Sequence, residues 1–331
     1  MGRQLLPHAF ARALDHLTQA RQHLRLSLLA LFFLWAIIPS GAAVRLTASG
    51  LGCPEWPLTC ESGQLLPALS SHALIEYSNR VFSALVMLVA VLSWVVAMRI
   101  PGRPTVIRRW SGAAAIATIG QIPLGGVTVA FHLHPVLVAS HFLLSIFALG
   151  CGTLAVLHAR DRTRDVRRRR DDARGLLATM AAFALLIAIV TGALVTGAGP
   201  HSGDRAVNRR IWNVVDAAYV HVRAVALFAV LAIALWIWLA RDGRRPVGRP
   251  LVFGWVALVA AQIALGEWQY RHQFPWEVVL VHVSTAGALW VATLALVRAV
   301  ARPAIAERER LSAAVSDRLA RHTPLGVRPD S

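Results

Sequence analysis

Polar and apolar residues are sorted along this chain into long blocks. Eight stretches carry almost no charge, at about 26–43, 74–98, 108–130, 135–157, 176–197, 214–239, 250–270 and 276–298. About 20 apolar residues wound as an α-helix reach across the ~30 Å hydrocarbon core of a bilayer. Within lipid a helix also satisfies its own backbone hydrogen bonds. The pattern therefore predicts an all-α polytopic membrane protein with eight transmembrane helices.

Composition supports this. Of 331 residues, 56% are hydrophobic and only 15% charged, too little charge to cover a soluble surface. The net charge of +17 would suit a nucleic-acid binder, but its placement points elsewhere. All the basic residues are Arg, and most fall before the first span, after the last, and in alternate loops near 99–109, 160–174 and 241–249. That alternation follows the positive-inside rule, so both termini are expected in the cytoplasm and no nucleic-acid partner is expected. Residues 1–25 read as a cytoplasmic N-terminal segment, 159–175 as a basic cytoplasmic linker and 300–331 as a cytoplasmic tail. Three arginines within 205–210 lie on the outer side, against the rule. Pro39-Ser-Gly-Ala-Ala43 resembles a signal cleavage site, but the first span has a counterpart at 176–197 and is read as retained.

The two halves share lettering. Gln121-Ile-Pro-Leu-Gly125 is followed by His141, and Gln262-Ile-Ala-Leu-Gly266 by His282 at the same spacing. Tyr77-Ser-Asn79-Arg80 stands against Tyr219-Val-His221-Val-Arg223, and Leu46-Thr-Ala-Ser-Gly50 resembles Val195-Thr-Gly-Ala-Gly199. The expected fold is thus two pseudo-symmetric four-helix bundles of parallel topology, 26–158 and 176–299.

The repeat sets candidate chemistry at matched depth, roughly 10 Å below the outer interface. In the second half, His221 and His282 face one another across a bundle, which suits bis-histidine ligation of haem iron. A lone membrane histidine is as often a hydrogen-bonding group between helices, but repeat-equivalent positions favour ligation. In the first half Asn79 stands where His221 stands in the second, leaving His141 as the in-register imidazole and implying a more open site. Glu76, near Asn79 on the helix face, suits a general base or a stabiliser of positive charge; an i,i+4 pair with Arg80 is its plainer role. Cys53 and Cys60, seven apart in the first outer loop, suit a disulfide on the oxidising side, structural or redox-active. Cys151 reads as packing. His72, His132, His134 and His272 read as surface histidines near the outer face. His201, with Asp204 and Arg205, is placed to contact a haem propionate or relay protons. Trp56, Trp212, Trp268 and Trp276 read as interfacial anchors.

Thr47 through Leu58 with its Cys-Pro-Glu-Trp-Pro run, Glu76-Tyr-Ser-Asn-Arg80, Gln121 through Thr128 with His141, Gly199-Pro-His-Ser-Gly-Asp204, and Gln262 through His282 together resemble the haem A synthase family (CtaA/Cox15) over about residues 26–300. The resemblance implies oxidation of the C8 methyl of haem O to a formyl group, giving haem A for terminal oxidases. It implies haem b held by His221 and His282, and substrate haem in the first half with His141 as ligand, Asn79 and Arg80 beside it, and Glu76 at the reacting edge. The family pattern has His where this chain has Asn79. Haem O synthase is the implied donor, terminal oxidase assembly the implied acceptor, and the bacterial plasma membrane the implied location. Two rivals explain part of the pattern: a non-catalytic di-haem b cytochrome working between quinone and an outer partner, and a thiol oxidoreductase built on Cys53 and Cys60.

Overall fold

The computed structural model describes residues 15–53, 55, 60, 70–102, 104–163, 168–169, 173–199, 213–241, 248–300 and 302–303. They form eight long helices: α1 (Ala20–Leu46), α2 (Ser71–Arg99), α3 (Thr105–Ala130), α4 (Pro135–Thr163), α5 (Ala173–Ala198), α6 (Val214–Arg241), α7 (Arg249–Arg271) and α8 (Trp276–Val300). Each is long and apolar enough to cross a membrane, and the chain is an all-α polytopic membrane protein. Arg168-Arg169 pairs antiparallel with Arg302-Pro303, bringing the linker after α4 against the chain after α8.

Most helices outrun the apolar blocks that predicted them. α1 begins at Ala20 rather than near residue 26, and α4 runs to Thr163 rather than 157. The reason is that apolarity marks only the hydrocarbon-embedded part. Arg21, Arg25 and Arg160 continue the helices with exposed charges, and Arg162 donates to the Thr18 carbonyl at 3.3 Å. α2 likewise starts at Ser71, with Ser70 accepting the Ala73 N–H at 3.3 Å as its N-cap, so Asn79 lies nearly a turn further from the helix start than the apolar block suggests. Pro39 in α1 and Pro123 in α3 are tolerated within their helices, as membrane spans permit.

Helix α1 packs on α2 and α4, and α3 on α2 and α4; in the second half α5 packs on α6 and α8, and α7 on α8. The halves meet where α8 lies against α1 and α4, and α4 against α5. This seam is built on small residues. A Cβ at Gly287 would sit 3.3 Å from Trp35 and 3.6 Å from Leu149, and one at Gly150 only 2.9 Å from Trp290 Nε1. Small residues let helix backbones approach where lipid supplies no hydrophobic drive for association. Trp35 Nε1 donates to the Ser284 carbonyl at 3.0 Å across the seam. At its far end Arg298 of α8 pairs with the buried Asp161 of α4, Nη2 to Oδ2 at 2.6 Å.

The turns from α3 to α4 and from α7 to α8 share one backbone form. His132 and Leu133 have φ of 49° and 56°, and Gln273 and Phe274 have 58° and 61°. Leu133 N–H donates to the Thr128 carbonyl at 2.9 Å, and Phe274 N–H to the Gln269 carbonyl at 2.7 Å. None of the four is glycine, so both turns hold side chains in the left-handed region that such residues usually avoid. In return each turn aims an apolar side chain inward: Leu133 and Phe274 each line a cavity of their own half.

Candidate functional site

Two cavities open among the helices towards the end that carries the α3–α4 and α7–α8 turns. One, of about 430 Å³, is lined by α1 to α4 and includes Glu76, Asn79, Arg80, Gln121 and His141. The other, of about 230 Å³, is lined by His221 and His282, and reaches between the halves to Asn79 and His141. All three predicted imidazoles therefore face connected space, and His221 and His282 share one chamber.

What positions them is repeated from half to half. Gln121 Nε2 donates to the His141 carbonyl at 3.2 Å and to Ser145 Oγ at 2.8 Å, locking α3 to α4 beside the imidazole. Gln262 Nε2 donates to the His282 carbonyl at 3.0 Å and to Thr285 Oγ1, doing the same for α7 and α8. The shared Gln read in the sequence as a mark of the repeat is thus the clamp that orients each histidine-bearing helix. The Nδ1 atoms of His141 and His282 are buried without a hydrogen-bond partner. His221 is held differently, with Nδ1 3.2 Å from Thr191 Oγ1 on α5.

Asn79 takes the matching place in the first half. Its Oδ1 accepts from Ser40 Oγ on α1 at 2.9 Å. Ser40-Gly41-Ala42 corresponds to Thr191-Gly192-Ala193. The glycines expose the difference between the halves. A Cβ at Gly192 would lie 3.1 Å from His221 Cε1, so the absence of a side chain there is what admits the ring, whereas a Cβ at Gly41 would meet nothing within 4 Å. The shorter Asn79 leaves that space open.

Glu76 is buried and fully engaged. Its Oε1 accepts from Arg80 Nη2 at 2.6 Å, and its Oε2 from the Cys53 backbone N–H at 2.8 Å. Arg80 also donates to the carbonyls of Cys53 at 2.5 Å and Glu55 at 2.6 Å. The plainer pairing expected for Glu76 is therefore present, and the pair does more: it fastens the chain after α1 at Cys53 and Glu55. Cys53 and Cys60 form a disulfide in that loop, and both are buried. The loop sits directly on α2, since a Cβ at Gly52 would lie 2.7 Å from the His72 backbone, a closeness only glycine allows. His72 is exposed, as a surface histidine is expected to be, and its Nδ1 lies 2.9 Å from Ser49 Oγ. Cys151 is a free, buried thiol inside α4, as packing requires. His201 and Arg205 lie outside the described residues, as do Asp204, Trp56 and Trp212.

Sequence reasoning missed Arg45. It stands in the last turn of α1, lines both cavities, and donates from Nη2 to the Thr196 carbonyl on α5 at 3.0 Å. The available signal was a lone arginine at the edge of an apolar block. Thr191, Ser40 and Gly192 were missed for another reason: the first helices of the two halves match at a different offset from the rest of the repeat.

No group of three or more His, Cys, Asp or Glu side chains suited to a bare metal ion occurs among the described residues. Single imidazoles from opposed helices suit instead a metal that arrives inside a macrocycle, whose ring nitrogens complete the coordination. His221 and His282 fit that requirement as a pair and His141 as a single ligand.

The family model described as "Cytochrome oxidase assembly protein", COX15-CtaA, matches residues 24–294. A protein named Heme A synthase from Symbiobacterium thermophilum is 30% identical over 249 residues, covering 68% of this chain and 78% of that one. Proteins of the same name from Bacillus pumilus (31% over 147 residues, 42% of this chain) and Bacillus licheniformis (29% over 126 residues, 37% of this chain) match over only 45% and 40% of their own lengths. With its paired Gln–His clamps, its disulfide-closed loop after α1 and a family match that covers six whole helices and most of the first and the last, this chain belongs to the COX15-CtaA family.

Proposed function

We propose that the protein is a haem A synthase, oxidising the C8 methyl of haem O to a formyl group, by way of the hydroxylated intermediate, to give haem A for terminal oxidases. One observation carries the reading: two cavities of unequal character adjoin behind the matching Gln–His clamps, one lined by His221 and His282 and reaching His141 and Asn79, the other lined by His141 and Asn79 with the buried Glu76 but by neither His221 nor His282. That inequality separates a resident group from a visiting one.

In this reading residues 176–299 form the bundle in which His221 and His282 hold haem b. Residues 26–158 form the bundle that receives haem O, with His141 as its protein ligand. A haem held there by His221 and His282 would supply one-electron transfer. The remaining work belongs to the side chains. Gln121 holds His141 in place through its backbone, Asn79 keeps to Ser40 and leaves the opposite face accessible, and Leu133 narrows the outer end of the cavity. Glu76 faces the same space, where a carboxylate takes up a proton or stabilises positive charge developing at the methyl carbon. Arg80 keeps that carboxylate directed through its hydrogen bond to Oε1. Both termini lie in the cytoplasm of a bacterial plasma membrane, with haem O delivered through the bilayer from haem O synthase and haem A passed on to terminal oxidase assembly.

One observation favours a second role for Glu76. Both its oxygens are occupied, so it also serves as the anchor of the disulfide loop. The test is to supply haem O to membranes holding the wild type and Glu76→Ala, then to resolve the haems by chromatography. Haem A is expected from the wild type, and none from the variant while its haem b spectrum persists. Intact haem b without product in the wild type would support the di-haem cytochrome instead. Wild-type turnover in Glu76→Ala would restrict Glu76 to the loop.

A further inference from the structure

Arg45 occupies a position that neither histidine pattern accounts for. It lies in the last turn of α1, a helix that lines both cavities at Ile37, Gly41 and Arg45 itself. Carrying a guanidinium into a membrane span is costly, and such residues usually serve a site. Its cost is eased in two ways here. The C-terminal end of a helix favours a cation, and one of the five guanidinium N–H groups is satisfied by the Thr196 carbonyl across the seam. The planar fork is also the side chain best shaped to receive a carboxylate.

The depth is informative. His141, His221 and His282 lie about two turns inside their helices from the outer ends, and Arg45 lies within one turn of the outer end of α1. A tetrapyrrole liganded at those imidazoles presents its hydrophobic edge to the bundle interior, and its two carboxylates seek the polar side, towards the interface. Arg45 is the cation that lines both chambers on that side.

We propose that Arg45 is a carboxylate anchor shared by the two cavities, gripping a propionate of a tetrapyrrole in either one. This rests on the reading of both cavities as tetrapyrrole sites and adds a residue to each. Because a single fork serves both, it also links them. A porphyrin entering the first cavity changes the electrostatic environment of the second through a fixed charge rather than through movement of helices.

The test uses the full-length holoprotein, purified with its resident haem, and titrates it with haemin and with haemin dimethyl ester, which lacks the free carboxylates. The wild type is expected to bind the diacid at least about tenfold more tightly than the diester, the scale of a charge-assisted hydrogen bond. Arg45→Gln is expected to discriminate less than about twofold, and Arg45→Lys to fall between. A role limited to tying α1 to α5 lowers both affinities together and leaves their ratio at the wild-type value; that result overturns the assignment. Should Arg45→Gln fail to accumulate, an undiminished ratio in Arg45→Lys overturns it equally. Conversion of haem O is scored separately. Absence of haem A in every variant and in the wild type counts against the enzyme reading, while a wild-type ratio in Arg45→Gln counts against the anchor alone.

Discussion

Asn79 and His221 hold corresponding places on α2 and α6, and each reaches a hydroxyl on the preceding helix, Ser40 or Thr191. What differs is reach: the imidazole passes its hydroxyl partner and fills the room above Gly192, while the amide stops short and leaves the room above Gly41. His221→Ala or His282→Ala is therefore expected to abolish a low-spin bis-histidine spectrum, because one axial imidazole remains. Absorption and pyridine haemochrome spectra of the purified variants check this, and an unchanged spectrum in both would remove the haem b assignment. Asn79→His is expected to do the reverse in the first half. The space over Gly41 accepts the larger ring, so added haem should be retained longer and turned over more slowly. Faster turnover with unchanged retention would show that Asn79 is not what keeps the site open.

Between neighbouring helices, spacing matters more than chemistry. The Gly192 contact predicts that Gly192→Val displaces the His221 ring and lowers haem content at that site several-fold, whereas Gly41→Ala, facing open space, leaves haem content unchanged. Quantitative haem extraction against protein concentration separates the two. Equal losses would mean that glycine serves helix flexibility and not ring clearance. The Gln–His clamps act at the same scale. Each spends a side-chain amide on the carbonyl of the histidine itself, where an interhelical hydrogen bond contributes ~0.6 kcal/mol on average but fixes the rotation of the helix that carries the ligand. The paired lettering of Gln121 and Gln262 was visible in the chain, but its purpose required seeing which atom the amide reaches.

Across the whole molecule the halves are joined by α8 against α1 and α4, and by α4 against α5, with apolar packing in the middle and an ion pair at one end. Arg298 and Asp161 are largely withdrawn from solvent, with side chains 13% and 10% exposed. Removing one partner of such a pair strands the other charge. Asp161→Asn is expected to destabilise the fold by about 3–5 kcal/mol while leaving both cavities intact. Denaturation in detergent, followed alongside the haem spectrum, measures this. A haem spectrum lost before any change in stability would mean that the far end of the seam reaches the site.

Block hydrophobicity alone determined that the chain crosses the membrane eight times, because burying backbone in lipid leaves no other solution. The shared spacing of Gln and His in α3–α4 and α7–α8 singled out His141 and His282, which lie beside matching Gln contacts, since the Gln-to-His segments have equal length in both halves. The tertiary structure decided what spacing could not express. Arg45 belongs to the site because α1 passes between both cavities, and the pairing of Ser40 with Thr191 emerges only in space, where unequal connections no longer shift the register. Glu76 is held by Arg80 and by a loop that folds back onto it from Cys53, a contact made by chain reversal rather than by helical period.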